Sequence, residues 1–391
     1  MSSVREASPI ALGATYVANF GALAVYGPFL ALYLAHRGLS TEAVAQLLAV
    51  TLLLRVVASP SWTILADALQ STVLVLRIVS VGAAASFALL LHGGSAIEVV
   101  VVLLLFAVFR APCGSLVDAL VLRWSSRTGR PFGALRVWGT VGYTCGAYGA
   151  GLAITHFGES AIAIATTALL ALGGLFSFTL PVGGVVTERP HLARPLAILM
   201  RRPRFLILLG TVMLHQIGLA PYDNLFPAYL TKISGASYAG ASIAVGAGAE
   251  LVFMITCSHL IKRIGPARVL VFAYAVSAVR WALIAFVTDP YVLVAVQLLH
   301  AIGFGAFYLS AVALVDEDAP NEVRASAQGV FGAIGFGVAA AIGLSIAGFV
   351  ERAAGMRGVF IVSTFAATLA ALLALVMTRM PSFTASTPRT S

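Results

Sequence analysis

The hydrophobic pattern of this chain consists of long apolar runs separated by short polar segments. A run of about 20 apolar residues, rising 1.5 Å per helical residue, is long enough to cross the hydrocarbon layer of a bilayer. The chain is therefore predicted to be an all-α polytopic membrane protein. Twelve such runs predict transmembrane helices, numbered here as spans 1 to 12, at residues 11–35, 42–65, 73–92, 98–122, 134–156, 160–180, 205–231, 238–260, 267–287, 291–315, 325–350 and 357–379.

The spans form two sets of six, because one connecting segment is longer than the others. A short motif recurs at matching places, as Tyr33-Leu34 between spans 1 and 2 and as Tyr229-Leu230 between spans 7 and 8. Parallel six-helix repeats of this kind place a transporter's substrate site at their interface, near mid-membrane. The predicted organisation is an N-terminal half at 1–180, a cytoplasmic linker at 181–204, a C-terminal half at 205–380 and a disordered cytoplasmic tail at 381–391.

Composition and charge support this assignment. Of all residues, 60% are hydrophobic and 10% are charged, whereas a soluble domain carries about 25% charged residues. The net charge of +9 could indicate a nucleic-acid partner, but the basic residues lie almost entirely between apolar runs, so we predict none. The three cysteines lie inside apolar runs without metal-ligand spacing, and neither a disulfide framework nor a metal site is predicted.

The basic residues also predict the orientation of the chain. Of the 24 Lys and Arg residues, 17 lie on one side of the predicted spans, four on the other and three within spans. Loops rich in Lys and Arg stay in the cytoplasm. Both termini and the linker are therefore predicted to be cytoplasmic, in a bacterial-type inner membrane with lipid around the spans.

Three ionisable residues of the second half, Glu250, Arg280 and His300, lie inside spans. Counted from the same membrane surface, all three fall roughly 10–17 Å deep. Because a charge inside a membrane is expensive, such residues indicate a functional site. Glu250 is predicted to carry a proton, or alternatively to form a fixed ion pair between spans 8 and 9. Arg280 is predicted to bind a substrate anion or to pair with Glu250, and His300 to relay protons or only to join helices.

Asp223 is the second candidate proton carrier. It lies at the same depth on span 7, although an Asp close to Pro221 could instead stabilise a broken helix. His215, also on span 7, is a weaker candidate for proton transfer than for helix contact.

The first half contains its own set of charges, Arg55, Arg110, Asp118 and Arg136. Arg110 and Asp118 are eight residues apart, about 80° around a helix, so both are predicted to face one substrate cavity. Asp118 could instead pair with a basic residue at the cytoplasmic end of its span.

Aromatic residues near these charges are candidates for substrate contact. Tyr26, Trp138 and Tyr229 are predicted to line the site, with Trp138 best placed to stack on a substrate ring. Aromatic belts and packing are the alternative explanation.

Two cytoplasmic loops resemble those of the major facilitator superfamily. The segment 63–70 retains the Leu and Asp of the superfamily's loop 2–3 motif but not its glycines and bases, and Lys262-Arg263-Ile264-Gly265 is the counterpart in the second half. The resemblance implies that Asp67 belongs to a gating loop.

More specific motifs resemble the lactose permease and phenylpropionate permease groups. The beginning of span 5, Phe132 to Gly142, is similar in both groups, and Asp118 and Arg136 match a substrate-binding pair of the lactose permease by spacing. The 20-residue spacing from Arg280 to His300 matches its coupling arginine and histidine. The permease's essential acid falls at a glycine here, Gly303. The sequence around His300 resembles that of the phenylpropionate permeases, and so does the presence of the acid Glu250 on span 8.

The sequence and the resemblance together predict a secondary transporter that works by alternating access. We expect proton-coupled uptake of a small polar or anionic organic solute, such as an aromatic carboxylate, by a monomer without cofactors. Efflux, or uncoupled transport of a sugar or nucleoside, is the alternative within transport, and a membrane receptor is the alternative outside it. No nucleophile–base pair, metal cluster or phosphate-binding loop indicates an enzyme or an ATP-driven pump.

Overall fold

The computed structural model describes residues 8–182, 199–320 and 323–380. Most of the predicted linker and the whole predicted tail lie outside these residues. Every regular element within them is helical. The longer helices are Pro9–His36, Thr41–Ala68, Thr72–Ala88, Ala96–Arg110, Cys113–Thr128, Gly133–Phe157, Ser160–Phe178, Pro203–Ser234, Ala236–Thr256, Pro266–Phe286, Phe307–Asp318 and Ala340–Met377, with shorter helices at Ser258–Ile264, Pro290–Val296 and Arg324–Gly332.

Each predicted span corresponds to helix in the structure. Ten helical segments of the described chain are long and apolar enough to cross a membrane. One of them, Ser326–Met377, covers both span 11 and span 12. Gly355, with a positive φ of 66°, interrupts the helix between these two spans. Span 5 is the 25-residue helix Gly133–Phe157, which is not among the ten.

Short-range capping sets several of the helix beginnings. The Ser95 hydroxyl accepts a hydrogen bond from the Glu98 amide while the Glu98 carboxylate accepts one from the Ser95 amide, which is a complete capping box at the start of span 4. Asp289 caps span 10 through the Val292 amide, and Pro290 occupies the first helical position. These signals act locally and are readable in the sequence.

Contacts divide the chain into two compact units. The first unit comprises Met1–Glu188 with Asp223–Ala244, and the second comprises Arg189–Tyr222 with Val245–Ser391. This division follows contacts rather than chain order, so the two six-helix halves at 1–180 and 205–380 stay a prediction.

Close backbone approach at glycine joins repeat-related spans within each unit. In the first unit, a Cβ on Gly142 of span 5 would lie 2.6 Å from the Val17 carbonyl oxygen of span 1. In the second unit, a Cβ on Gly343 of span 11 would lie 2.5 Å from the Ile217 oxygen of span 7. Small residues allow such contact where lipid removes the hydrophobic drive for helix association. The same packing solution therefore occurs at matching places in the repeat.

Candidate functional site

The three ionisable residues of the second unit form one chain of polar contacts. Arg280 is 1% exposed, and its terminal nitrogens lie 3.1 Å from His300 Nδ1 and 2.5 Å from Gln297 Oε1. His300 Nε2 lies 3.4 Å from Glu250 Oε2. The structure thus brings together the residues that the sequence placed at one depth, and it adds Gln297, whose own amide donates to the Leu293 carbonyl oxygen.

The geometry determines which nitrogen of His300 carries hydrogen. A guanidinium can only donate hydrogen bonds, so the Nδ1 atom facing Arg280 must be the acceptor. The imidazole is then neutral with its hydrogen on Nε2, directed at the Glu250 carboxylate. The acid's contact is therefore with His300, and a direct pairing of Arg280 with Glu250 stays a prediction.

Aromatic rings fix the planes of this chain of polar groups. The Arg280 guanidinium lies 4.0 Å from the Tyr222 ring centre and 4.6 Å from that of Trp281. The His300 ring stacks on Phe304 with 5.3 Å between centres and an angle of 5°. Cation–π contact stabilises a desolvated guanidinium by about 2 kcal/mol, so these rings help to keep Arg280 charged while buried.

A widened helical turn begins directly after His300. Residues Ala301–Ala306 form a π-helix, and so do Ala333–Ala339 on span 11. Both begin with the same five residues, Ala-Ile-Gly-Phe-Gly, and the rings of Phe304 and Phe336 meet at 6.3 Å. π-Helical turns are frequent at functional sites. Comparing spans 10 and 11 letter by letter would have found this pair, which the sequence analysis missed.

Glycine in the first π-helix makes room for a hydroxyl of span 9. A Cβ on Gly303 would lie 2.7 Å from Ser277 Oγ, whereas a Cβ on Gly305 would be in ordinary contact with Glu250 Cγ at 3.4 Å. A side chain at position 303 would therefore press on the Ser277 hydroxyl. The π-helix of span 10 thus depends on a small residue at position 303.

Two further candidates on span 7 lie in different surroundings. His215 is fully buried between the rings of Tyr274 and Phe307, at 5.0 and 4.3 Å. Asp223 is exposed and begins the span 7 segment that belongs to the first unit. The proton-carrier role of Asp223 stays a prediction.

In the first unit, the predicted pair of Asp118 and Arg136 is formed. Asp118 Oδ1 accepts a hydrogen bond of 2.5 Å from the Tyr16 hydroxyl and lies 3.9 Å from Arg136 Nε. The Arg136 guanidinium also lies 4.4 Å from the Phe20 ring centre. Tyr16 and Phe20 of span 1 were missed in the sequence, because nothing local shows which face of span 1 meets span 4.

Arg110 has different contacts from Asp118, and the expectation that both face one substrate cavity stays a prediction. It is buried, donates to the Asn19 main-chain oxygen at 3.1 Å and lies over the Tyr26 ring. The eight-residue spacing assumed a continuous helix, whereas the helix ends at Arg110 and resumes at Cys113.

The remaining predicted residues are dispersed. Trp138 is 47% exposed and packs beside Gly13, and Tyr26 is buried against Phe106 at 5.1 Å. Arg55 is exposed, whereas Asp67 and Tyr229 are half-buried. Their substrate-binding and gating roles stay predictions.

Ionisable side chains that contact one another on membrane-crossing helices indicate a polytopic transport protein. The profile of the MFS_1 like family matches residues 10–362, and the chain belongs to that family. The resemblance to the major facilitator superfamily and the fold class are thereby confirmed.

Relatives with curated functions are transporters. The chain is 28% identical over 380 residues to "Probable 3-phenylpropionic acid transporter" of Escherichia coli (strain K12), covering 93% of this chain and 96% of that one. It is 27% identical over 335 residues to "Maltose permease" of Geobacillus stearothermophilus, covering 83% of each. This protein is accordingly an integral membrane transporter of small molecules and not an enzyme.

Solved structures share the fold. The crystal structure of nucleoside transporter NupG aligns with a TM-score of 0.83 at 18% identity, covering 95% of this chain and 99% of that one. At this identity the likeness establishes the helical architecture and carries no information about the solute.

Proposed function

We propose that this protein is a proton-coupled symporter that takes a small anionic organic solute into the cell by alternating access. The observation that carries the proposal is the position of His300, between an acid at 3.4 Å and an arginine at 3.1 Å. The distribution of Lys and Arg supports an inner membrane location with both termini in the cytoplasm. The protein then acts as a monomer, with protons, lipid and the solute as its partners.

Proton loading and anion binding favour each other in this arrangement. A proton added to His300 Nδ1 turns that atom into a donor that faces the donors of Arg280, so the contact between them becomes repulsive. The proton on Nε2 can then pass to Glu250, which neutralises the acid and removes one negative charge from the surroundings of Arg280. An anion is the natural partner for the guanidinium at that stage.

The same coupling acts in reverse. An anion that draws the Arg280 guanidinium towards itself frees the lone pair of His300 Nδ1, which can then accept a proton. Binding free energies are reciprocal, so a proton that improves anion affinity must itself bind more tightly when the anion is present. This mutual preference is what a symporter needs in order to move both together.

An aromatic carboxylate is the solute class that the site and the relatives support best. The planar fork of Arg280 matches a carboxylate, and the rings of Tyr222 and Trp281 lie on the same guanidinium. The relative named for 3-phenylpropionic acid covers nearly the whole chain. We therefore choose 3-phenylpropionate as the first solute to assay, with maltose and a nucleoside as the comparison solutes.

The test is uptake into proteoliposomes with an imposed inward proton gradient. Wild-type protein should accumulate labelled 3-phenylpropionate above its external concentration. Glu250→Gln should abolish accumulation while retaining exchange of internal for external solute without a gradient, because the neutral glutamine resembles the protonated acid and so leaves binding and rocking possible. Glu351→Gln, a half-buried acid elsewhere in the second unit, is the matched control and should accumulate normally.

Accumulation by Glu250→Gln equal to that of the wild type would overturn the proton assignment. Transport of maltose or nucleoside without any response to the gradient would instead support the uncoupled alternative.

A further inference from the structure

The middle of span 4 contains a helix break that the protein stabilises with a side chain. Pro112 has no amide hydrogen, so the Val108 carbonyl oxygen four residues earlier loses its helical donor. The Trp62 indole of span 2 donates to that oxygen at 3.0 Å. Irregular backbone at membrane depth is tolerated where it is buried in protein or lines a cavity. Arg110 is the last residue of the helix before this break.

The charge of Arg110 has no acid beside it in the described part of the chain. The side chain is 6% exposed, and its Nε atom has no hydrogen-bond partner. One hydrogen bond is made to the Asn19 main-chain oxygen, and Tyr26 and Cys113 are the other polar neighbours. Neutral groups of this kind solvate a guanidinium only in part.

Three other arginines of the described chain, one of them buried and two half-buried, differ in this respect. Arg204 forms an ion pair with the buried Asp318, and Arg280 reaches Glu250 through His300. Arg136 lies beside Asp118. Within the described residues, Arg110 is thus the buried arginine that has no carboxylate among its contacts, and a buried charge without such balance is strongly unfavourable.

We propose that Arg110 binds the carboxylate of the solute and does so whether or not the pair of Glu250 and His300 carries a proton. His300 is a contact of Arg280 and Glu250 is a contact of His300, whereas the contacts of Arg110 are the Asn19 main-chain oxygen, Tyr26 and Cys113. The solute is accordingly recognised as a monocarboxylate in the proton-free state also. This inference rests on the proposed function for the solute's chemical class.

The experiment measures equilibrium binding to the purified full-length protein, without any gradient. The probes are 3-phenylpropionate and other short monocarboxylates, each compared with its neutral amide. Wild type should bind the acids at least about tenfold more tightly than the amides, a ratio that corresponds to 1.4 kcal/mol. Arg110→Gln should bind acid and amide alike, and Arg110→Lys should keep part of the preference because it keeps the charge.

Two controls make the outcome specific to Arg110. Arg37→Gln removes an arginine whose guanidinium makes an exposed hydrogen bond to the Gly94 oxygen. This variant should leave the acid-to-amide ratio unchanged. Glu351→Gln, the control of the uptake assay, should also leave the acid-to-amide ratio unchanged. The ratio is measured without a gradient, so failure of the proton assignment would appear in the uptake assay and not in this ratio.

A wild-type protein with no preference for acids would overturn the inference. So would an Arg110→Gln variant that still binds the amides and keeps the full preference for acids. A third contrary result is that chloride stabilises the wild type but not Arg110→Gln, while the preference for acids persists in the variant. Arg110 would then bind an inorganic anion, and the inference would equally be overturned. If Arg110→Gln fails to bind even the amides, the lysine variant decides between these results.

Discussion

The hydrogen bond from Trp62 to the Val108 oxygen gives a sharp test of how span 4 is built. Trp62→Phe keeps a large aromatic ring next to Phe109, which the indole contacts at 5.7 Å, but removes the N–H donor. The carbonyl oxygen that Pro112 leaves without a helical partner then has none from the indole either. The perturbation is therefore confined to one donor.

The expected cost follows from leaving a buried acceptor unsatisfied, about 1–3 kcal/mol. For a large chain, each kcal/mol lowers the midpoint of thermal unfolding by roughly 2–4 °C. Trp62→Phe should therefore unfold a few degrees below the wild type in the same detergent. Trp138→Phe is the matched control, because that indole is 47% exposed, and it should change the midpoint by less than about 1 °C.

A second substitution tests the cause rather than the size of the effect. Pro112→Ala returns an amide hydrogen that can bond to the Val108 oxygen along the helix. In that background the added Trp62→Phe change should cost little, so that the double-mutant cycle shows a coupling of about 1–2 kcal/mol. Thermal unfolding followed by intrinsic fluorescence measures all four proteins.

Two results would refute this reasoning. One is a Trp62→Phe protein as stable as the wild type. The other is an equal loss of stability from Trp62→Phe in the proline and the alanine backgrounds, which would show that packing rather than the hydrogen bond had been removed.

Two further predictions concern stability within the separate units. Gly142→Ala should destabilise by about 1–3 kcal/mol, because its Cβ would lie 2.6 Å from the backbone of span 1. Gly149→Ala, on the same helix with nothing within 4 Å, should be neutral or slightly stabilising in the same unfolding assay. Asp318→Asn should cost about 3–5 kcal/mol, because the Arg204 charge loses its buried acid. Glu317→Gln removes an ion-pair contact at 3.6 Å with a 39% exposed carboxylate and should cost less than about 1 kcal/mol. Equal effects within either pair would contradict the contacts described.

Several features of the fold were readable in the sequence because they depend on length and local chemistry. Twenty apolar residues match the thickness of a bilayer whatever their neighbours are, and each predicted run is helical. The depth of Glu250, Arg280 and His300 followed from counting residues along straight helices. Depth alone was enough to predict that these three residues lie together.

The sequence did not show which residues of the site contact one another. Depth does not reveal how each helix is rotated about its axis, so it could not show that His300 lies between the acid and the arginine or that Gln297 joins them. Contact between membrane helices depends on small residues and shape over many positions. The partnership of Tyr16 with Asp118 was hidden for the same reason.

Breaks in the helices account for the other differences. The sequence by itself determined the number of spans, their depth and the residue types available at each level, since these follow from hydropathy and helical rise. Only the tertiary structure decided that the Trp62 indole donates to the oxygen left without a helical partner before Pro112, and that a π-helical turn follows His300. Such breaks form where a neighbouring side chain or a close glycine contact compensates them, and those compensating groups come from distant parts of the chain.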